Sequence, residues 1–200
     1  VTEEDLPVLR RMGKLNLTVL DLEEGEVHED DAALELAGAL AGEGLEIEGP
    51  EEGRCRLLAT RSGVARFDPE TVRRVNTDRE WSFAACPPNA VVRPGSVVAA
   101  FRILPLALGR ASLEKAVKAA SPFSVKPFLP LKVGLVTTGS EIKAGLVKDT
   151  VREKLDRKLE ELGGSFAGQR FCGDGAEEIR EAILDLAGAG AAIVVNSGNS

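Results

Sequence analysis

Residues 132–197 switch back and forth between two hydrophobic periods. KVGLVTT (132–138) is a short, nearly continuous apolar run. DTVREKLDRKLEELGG (149–164) sets Val151, Leu155, Leu159 and Leu162 on one helical stripe and stops at two glycines. SFAGQRFC (165–172) reads as a strand, GAEEIREAILDLAGAG (175–190) as a helix and AAIVVNSG (191–198) as a strand. Strand, helix, strand, helix, strand with short links leaves few topologies. The crossovers must be right-handed, the strands parallel and the helices packed on the sheet faces. The expected fold class is therefore α/β, with a three-layer αβα arrangement in this part.

The chain before this point follows a different pattern. Thr2 with Glu3, Glu4 and Asp5 opens a helix that ends near Gly13, with a capping-box spacing from Thr2 to Asp5. LNLTVLDL (15–22) alternates like a strand. Residues 28–44 form a helix with acids in its first turn and glycines at its end. Short strands follow in LEIEG, CRLLAT, VARF and WSFAAC, with a small helix from Pro69 capped by Asp68. AVVRPGSVVAAFRILPL (90–106) carries a Pro-Gly turn between β-branched runs and predicts a hairpin. Residues 112–120 predict a helix, and three prolines in SPFSVKPFLP (121–130) mark a linker. The expected division is a mixed α/β and β-rich region over 1–125, then an α/β domain over 126–200.

In an open parallel sheet, ligands sit outside the carboxyl ends of the strands. Three loops meet that description here. The first reads Thr137-Thr138-Gly139-Ser140-Glu141, the second Cys172-Gly173-Asp174-Gly175, and the third Asn196-Ser197-Gly198-Asn199-Ser200. Glycine admits a phosphate close to backbone N–H groups, and hydroxyls add donors. Carboxylates beside them can hold a metal cation. Any one such loop is ordinary for a parallel strand; three on one edge predict a site. Neither a Walker loop nor the dinucleotide G-x-G-x-x-G is present.

Composition narrows the partners. Asp and Glu outnumber Lys and Arg by 32 to 25, for a formal charge of −7. A nucleic-acid surface needs clustered cations, so none is expected, while a local pocket can still take a small anion. Three scattered cysteines and one histidine, His28, argue against zinc and against a disulfide framework. His28-Glu29-Asp30-Asp31 reads as a solvated helix start, because consecutive helical residues do not converge on one point. With no long apolar run and an acidic start, no membrane partner and a cytoplasmic location are expected.

KVGLVTTGSEI, Gly145, Lys148-Asp149, the helix ending in LGG, the acid at Asp174 and AAIVVNSG together resemble the molybdopterin-binding domain of molybdenum-cofactor biosynthesis proteins. That domain occurs in molybdopterin molybdenumtransferase, molybdopterin adenylyltransferase and gephyrin. The resemblance covers roughly 131–200. More loosely, the whole chain is similar to molybdopterin-binding proteins that place a mixed α/β and β-rich region before this domain.

The resemblance implies molybdopterin as ligand or substrate, a homo-oligomer, and Mg2+ as a companion ion. It makes Thr138, Gly139 and Ser140 contacts of the pterin phosphate. Glu141 and Asp174 become the catalytic and metal-handling acids, and Ser197 and Gly198 the third loop. Asp149 occupies the family's acidic position at the helix start, and it equally fits a plain N-cap. The third loop departs from the family's double glycine by reading Asn196-Ser197-Gly198. The family domain also continues past this loop, so the domain is expected to be truncated at Ser200. Three functions stay open: molybdate or nucleotide transfer to molybdopterin, non-catalytic carriage or sensing of the pterin or a nucleotide, and nucleotide pyrophosphate cleavage.

Overall fold

The computed structural model describes residues 2–13, 16, 19–139 and 151–197. A 3-10 turn, Glu3–Asp5, leads into α1 (Leu6–Arg11), and the Asp5 carboxylate accepts the Thr2 N–H at 2.7 Å, as the capping spacing predicts. The expected strand over 15–22 is not found in its described part: Asn16 and residues 19–22 have no strand pairing, and Val19, Leu20 and Leu22 are exposed. Alternation makes a strand only where a neighbouring strand supplies partners.

Strand β1 (Glu26–His28) pairs antiparallel with β8 (Ala107–Gly109). Helix α2 (Glu29–Leu40) begins at His28, whose Nδ1 accepts the Asp30 N–H at 3.2 Å, so this histidine caps a helix. Ala32, Ala33, Leu36, Ala37 and Leu40 form the buried stripe of α2. That stripe belongs to a core made by two antiparallel sheets. One has the order β2 (Leu45–Glu51), β3 (Arg54–Ala59), β7 (Val97–Ile103), β5 (Trp81–Ala85). The other has the order β6 (Val91–Val92), β4 (Gly63–Arg66), β9 (Ser124–Lys126). Helices α3 (Glu70–Val75) and α4 (Arg110–Ala119) complete this part, and Asp68 Oδ1 accepts the Glu70 N–H at 3.0 Å at the start of α3. Aromatic packing centres on Phe123, stacked on Phe67 with centroids 4.2 Å apart.

Two local expectations change. The turn at Pro94-Gly95 does not close a hairpin, because β6 pairs with β4 whereas β7 pairs with β3 and β5. The chain crosses there from one sheet to the other. The proline-rich 121–130 stretch is not all linker, since Phe123 and Val125 are fully buried and β9 pairs with β4. Residues 127–131 connect β9 to the strand that begins at Lys132.

The last part is a parallel three-stranded sheet, ordered β11 (Ser165–Cys172), β10 (Lys132–Thr138), β12 (Ile193–Ser197). Its helices are α5 (Val151–Leu162) and α6 (Ala176–Gly188). The central strand is buried from Val133 to Thr138, as a strand covered on both faces should be. Val136 packs with Cys172, Ala182 and Leu186 on the α6 side. Gly134 lies against Leu186, because a Cβ there would stand 3.1 Å from its side chain. Alternation turns Val133, Leu135 and Thr137 to the other face. There Arg152 of α5 lies 3.3 Å above the ring of Phe166, the register partner of Val133. The αβα layering expected of this part is present. An exposed ion pair, Arg93 to Glu161 at 3.0 Å, links α5 to the first part of the chain.

Candidate functional site

The first crossover runs from β10 out to β11. The second returns past β10 to β12 on its far side. Strand order therefore reverses at β10, the position in an open parallel sheet at which ligands bind. Register fixes which residues meet there. Thr138 pairs with Cys172, and Thr137 with Ser197, so all three strands end together.

Two hydrogen bonds tie these ends. The Thr138 hydroxyl donates to the Ser197 carbonyl at 3.4 Å. The Gly139 N–H donates to the Cys172 carbonyl at 3.3 Å. Gly139 has φ of +130°, a backbone state that a residue with a Cβ rarely adopts, and none of the described residues comes within 4 Å of where its Cβ would be. The two donors that the sequence suggested for a phosphate are partly engaged in holding the strand ends together.

The second loop continues from Cys172 through Gly173, Asp174 and Gly175 into α6. Asp174 is exposed and lies on the same edge as Gly139. Glu178 of α6 reaches back, and its Oε2 accepts the Gly173 N–H at 2.8 Å. The first turn of α6 also holds Glu177, so carboxylates already compensate the positive end of this helix dipole. The edge is therefore polarised. The β10 end carries a hydroxyl and glycine backbone, groups that can meet an anion; the β11 end carries acids, groups that can meet a hard cation. Behind the edge, Gln169 Nε2 donates to the buried Thr137 hydroxyl at 3.0 Å and keeps that threonine oriented.

Of the residues expected at the site, Thr138, Gly139, Asp174 and Ser197 lie on this one edge. Ser140, Glu141, Asp149 and Gly198 lie outside the described residues. Glu178 and Gln169 escaped sequence reasoning. Glu178 looked like one more acid in a helix's first turn, although its place three residues after Gly175 is a capping-box spacing that could have flagged it. Gln169 gave no signal, being one polar residue in a strand. Among the described residues no group of three or more His, Cys, Asp or Glu side chains is placed to hold a metal. Asp174 brings carboxylate oxygen, the donor type Mg2+ prefers, so the described edge fits that ion in kind.

Among the described residues, no helix is long and apolar enough to cross a membrane. Residues 134–200 match the family model described as a probable molybdopterin binding domain, so the resemblance read from the motifs holds for that segment. No curated protein matches the chain. Among solved structures, the crystal structure of the molybdopterin biosynthesis moeA protein from Pyrococcus horikoshii OT3 aligns at 13% identity and a TM-score of 0.28. That alignment covers 86% of this chain and 66% of the other.

Proposed function

We propose that this chain binds molybdopterin by its phosphate at the carboxyl-end edge of the β11-β10-β12 sheet, in the service of molybdenum-cofactor biosynthesis. One observation carries the reading: the segment that matches a molybdopterin-binding family model is the segment whose three strand ends converge on a polar edge. Residues 126–200 would form the binding domain, and residues 1–125 a separate region.

In this reading Thr138, Gly139 and Ser140 cradle the phosphate, with Ser197 and Gly198 closing the far side. Glu141 and Asp174 hold Mg2+ and act at the reaction centre, and Asp149 either joins them or caps α5. When bound, Mg2+ would supply charge neutralisation for transfer of molybdate or a nucleotide. The protein's own part is to orient the phosphate and to place fixed charge near the reacting group. The described edge supports this reading, since it carries a hydroxyl and glycine backbone at the β10 end and the exposed Asp174 carboxylate at the β11 end, donor types for an anion and for a hard cation.

Binding of molybdopterin to the protein, titrated with and without Mg2+, tests the proposal; a protein that binds none in either condition refutes it. The same preparation separates transfer from carriage through Glu141→Gln. A transferase should keep pterin affinity within a few-fold and lose about two orders of magnitude of turnover, the usual cost of one electrostatic stabiliser. Unchanged turnover would remove Glu141 from the chemistry, and no turnover in the parent protein would leave carriage as the function.

A further inference from the structure

We infer that Glu178 is the positioning residue of the second loop, its carboxylate fixing Gly173 and thereby the place of Asp174 at the ligand edge. What Asp174 does rests on the molybdopterin reading; where Glu178 holds the loop does not. Glu178 Oε2 accepts the Gly173 N–H at 2.8 Å. A Cβ on Gly173 would stand 3.0 Å from Oε1 and 3.1 Å from Oε2, so the carboxylate sits where any side chain at 173 would project. Gly175 is the N-cap of α6, which makes Glu178 its third residue and directs it back over the loop.

The loop needs such an anchor. Asp174 is flanked by two glycines, the residue with the most backbone freedom to lose, and its own side chain is exposed. An acid meant to meet a cation works only if its surroundings hold it in place. Glu178 does this through the backbone, at a charge-assisted hydrogen bond. The adjoining Cys172 carbonyl accepts the Gly139 N–H, so the anchored loop is joined directly to the first loop. Glu178 thus sets the spacing between the anionic and cationic sides of the edge. Its neighbour Glu177 points elsewhere, toward Arg180 at 3.6 Å, and serves as a control of equal charge.

The test uses the full chain, with Glu178→Ala, Glu178→Gln, Gly173→Ala and Glu177→Ala. Two quantities are read: amide hydrogen exchange at residue 173, and binding of 6-hydroxymethylpterin phosphate with and without Mg2+. Glu178→Ala and Gly173→Ala should speed exchange at residue 173. They should also weaken the Mg2+-dependent part of probe binding by about tenfold, as loss of a ligand-orienting partner does, and leave Mg2+-free binding as in the parent. Glu178→Gln keeps a carbonyl acceptor and should restore most of both, while Glu177→Ala, which removes equal charge without touching Gly173, should leave exchange at residue 173 as in the parent. Unchanged exchange in Glu178→Ala overturns the anchoring. Faster exchange with unchanged Mg2+-dependent binding reduces Glu178 to a helix cap and overturns the positioning role. If the parent binds no probe in either condition, the molybdopterin reading fails and takes the Asp174 half of the inference with it. The exchange arm then still decides the anchoring.

Discussion

Gly134→Ala should destabilise the C-terminal core while leaving the first core almost untouched. A methyl at this position would meet Leu186 Cβ and Cδ1 at 3.1 Å each and Ala191 Cβ at 3.3 Å. Ordinary contact begins near 3.4 Å, so the neighbours must retreat by a few tenths of an ångström. Leu186 has little room to do so: it is fully buried, and its Cδ2 lies 3.3 Å from where a Cβ on Gly168 would be. Overpacking of this kind costs about 1–3 kcal/mol, and a side chain confined on two sides argues for about 2 kcal/mol. That multiplies the opened population roughly 30-fold. The chain supplies its own two probes. Its single tryptophan, Trp81, lies in the first core, and Cys172, 5% exposed, lies in the second. Site-resolved thiol labelling of Cys172 should accelerate by that factor, with the Trp81 fluorescence transition unmoved. Leu186→Ala alone should cost about 2–5 kcal/mol. Combined with Gly134→Ala it should cost less than the sum by about 1 kcal/mol, since the Cδ1 contact is then gone and the remaining Cβ can shift into the space that the leucine leaves. Unchanged Cys172 labelling, or strict additivity in the double variant, would refute the close contact as the cause.

Thr138→Val removes the hydroxyl that donates to the Ser197 carbonyl and should cost about 1 kcal/mol in the Cys172 labelling assay, with weaker phosphate-probe binding. Asn76 donates to and accepts from the Phe83 backbone at 2.8 Å each, standing in for a neighbouring strand beside β5. Asn76→Ala should therefore cost about 1–3 kcal/mol, read from the Trp81 transition, because it strands two backbone groups. Burial, and after it the Asp30 charge, push the Cys55 thiol up to about 11. Its neutral form is thus favoured in the folded state. The resulting stability is complete below the unfolded thiol's pKa and declines as pH rises toward the folded value. Cys55→Ala should flatten that alkaline decline relative to the parent, and an identical slope in both would exclude the thiol as its source. Tyrosine does not complicate the comparison, because the chain has none.

What could be read from the sequence depended on whether each signal was local. KVGLVTT is apolar throughout because β10 is central and covered on both faces, and the flanking helices announce themselves by their stripes. Parallel strands must then end on one edge, so the meeting of Thr138, Gly139, Asp174 and Ser197 followed from topology without knowledge of any contact. Pro94-Gly95 shows the opposite case. Its turn is real, but a turn says only that the chain bends, and which sheet receives β7 depends on strands far earlier in the chain. Phe123 and Val125 sit among prolines that read as a linker, yet Val125 pairs with Ala65 of β4 and Phe123 bridges to Ala41 after α2. Glu178 was hidden for a related reason. An acid in a helix's first turn has a sufficient local explanation, and only the structure shows that its carboxylate also holds the preceding loop.

The same helix links the packing of the second core to the polar edge. Leu186, near one end of α6, presses on Gly134 of β10 and Gly168 of β11, where the absence of side chains lets the helix come close to the sheet. Glu178, eight residues earlier and so roughly 12 Å along the axis, grips Gly173 at the strand ends. A helix of this length is stiff between those points, so the depth at which Leu186 seats sets where the Glu178 carboxylate arrives. The glycines beneath Leu186 therefore bear on the second loop as well as on stability. A methyl on Gly134 that lifts α6 should disturb Gly173 even though it touches no residue of the edge. Gly134→Ala should speed amide exchange at Gly173 beyond what its global destabilisation explains, and restoring space with Leu186→Ala should bring that excess back down. If Gly173 exchange follows only the overall stability of the second core, α6 does not carry its packing to the edge, and the loop is set by Glu178 alone.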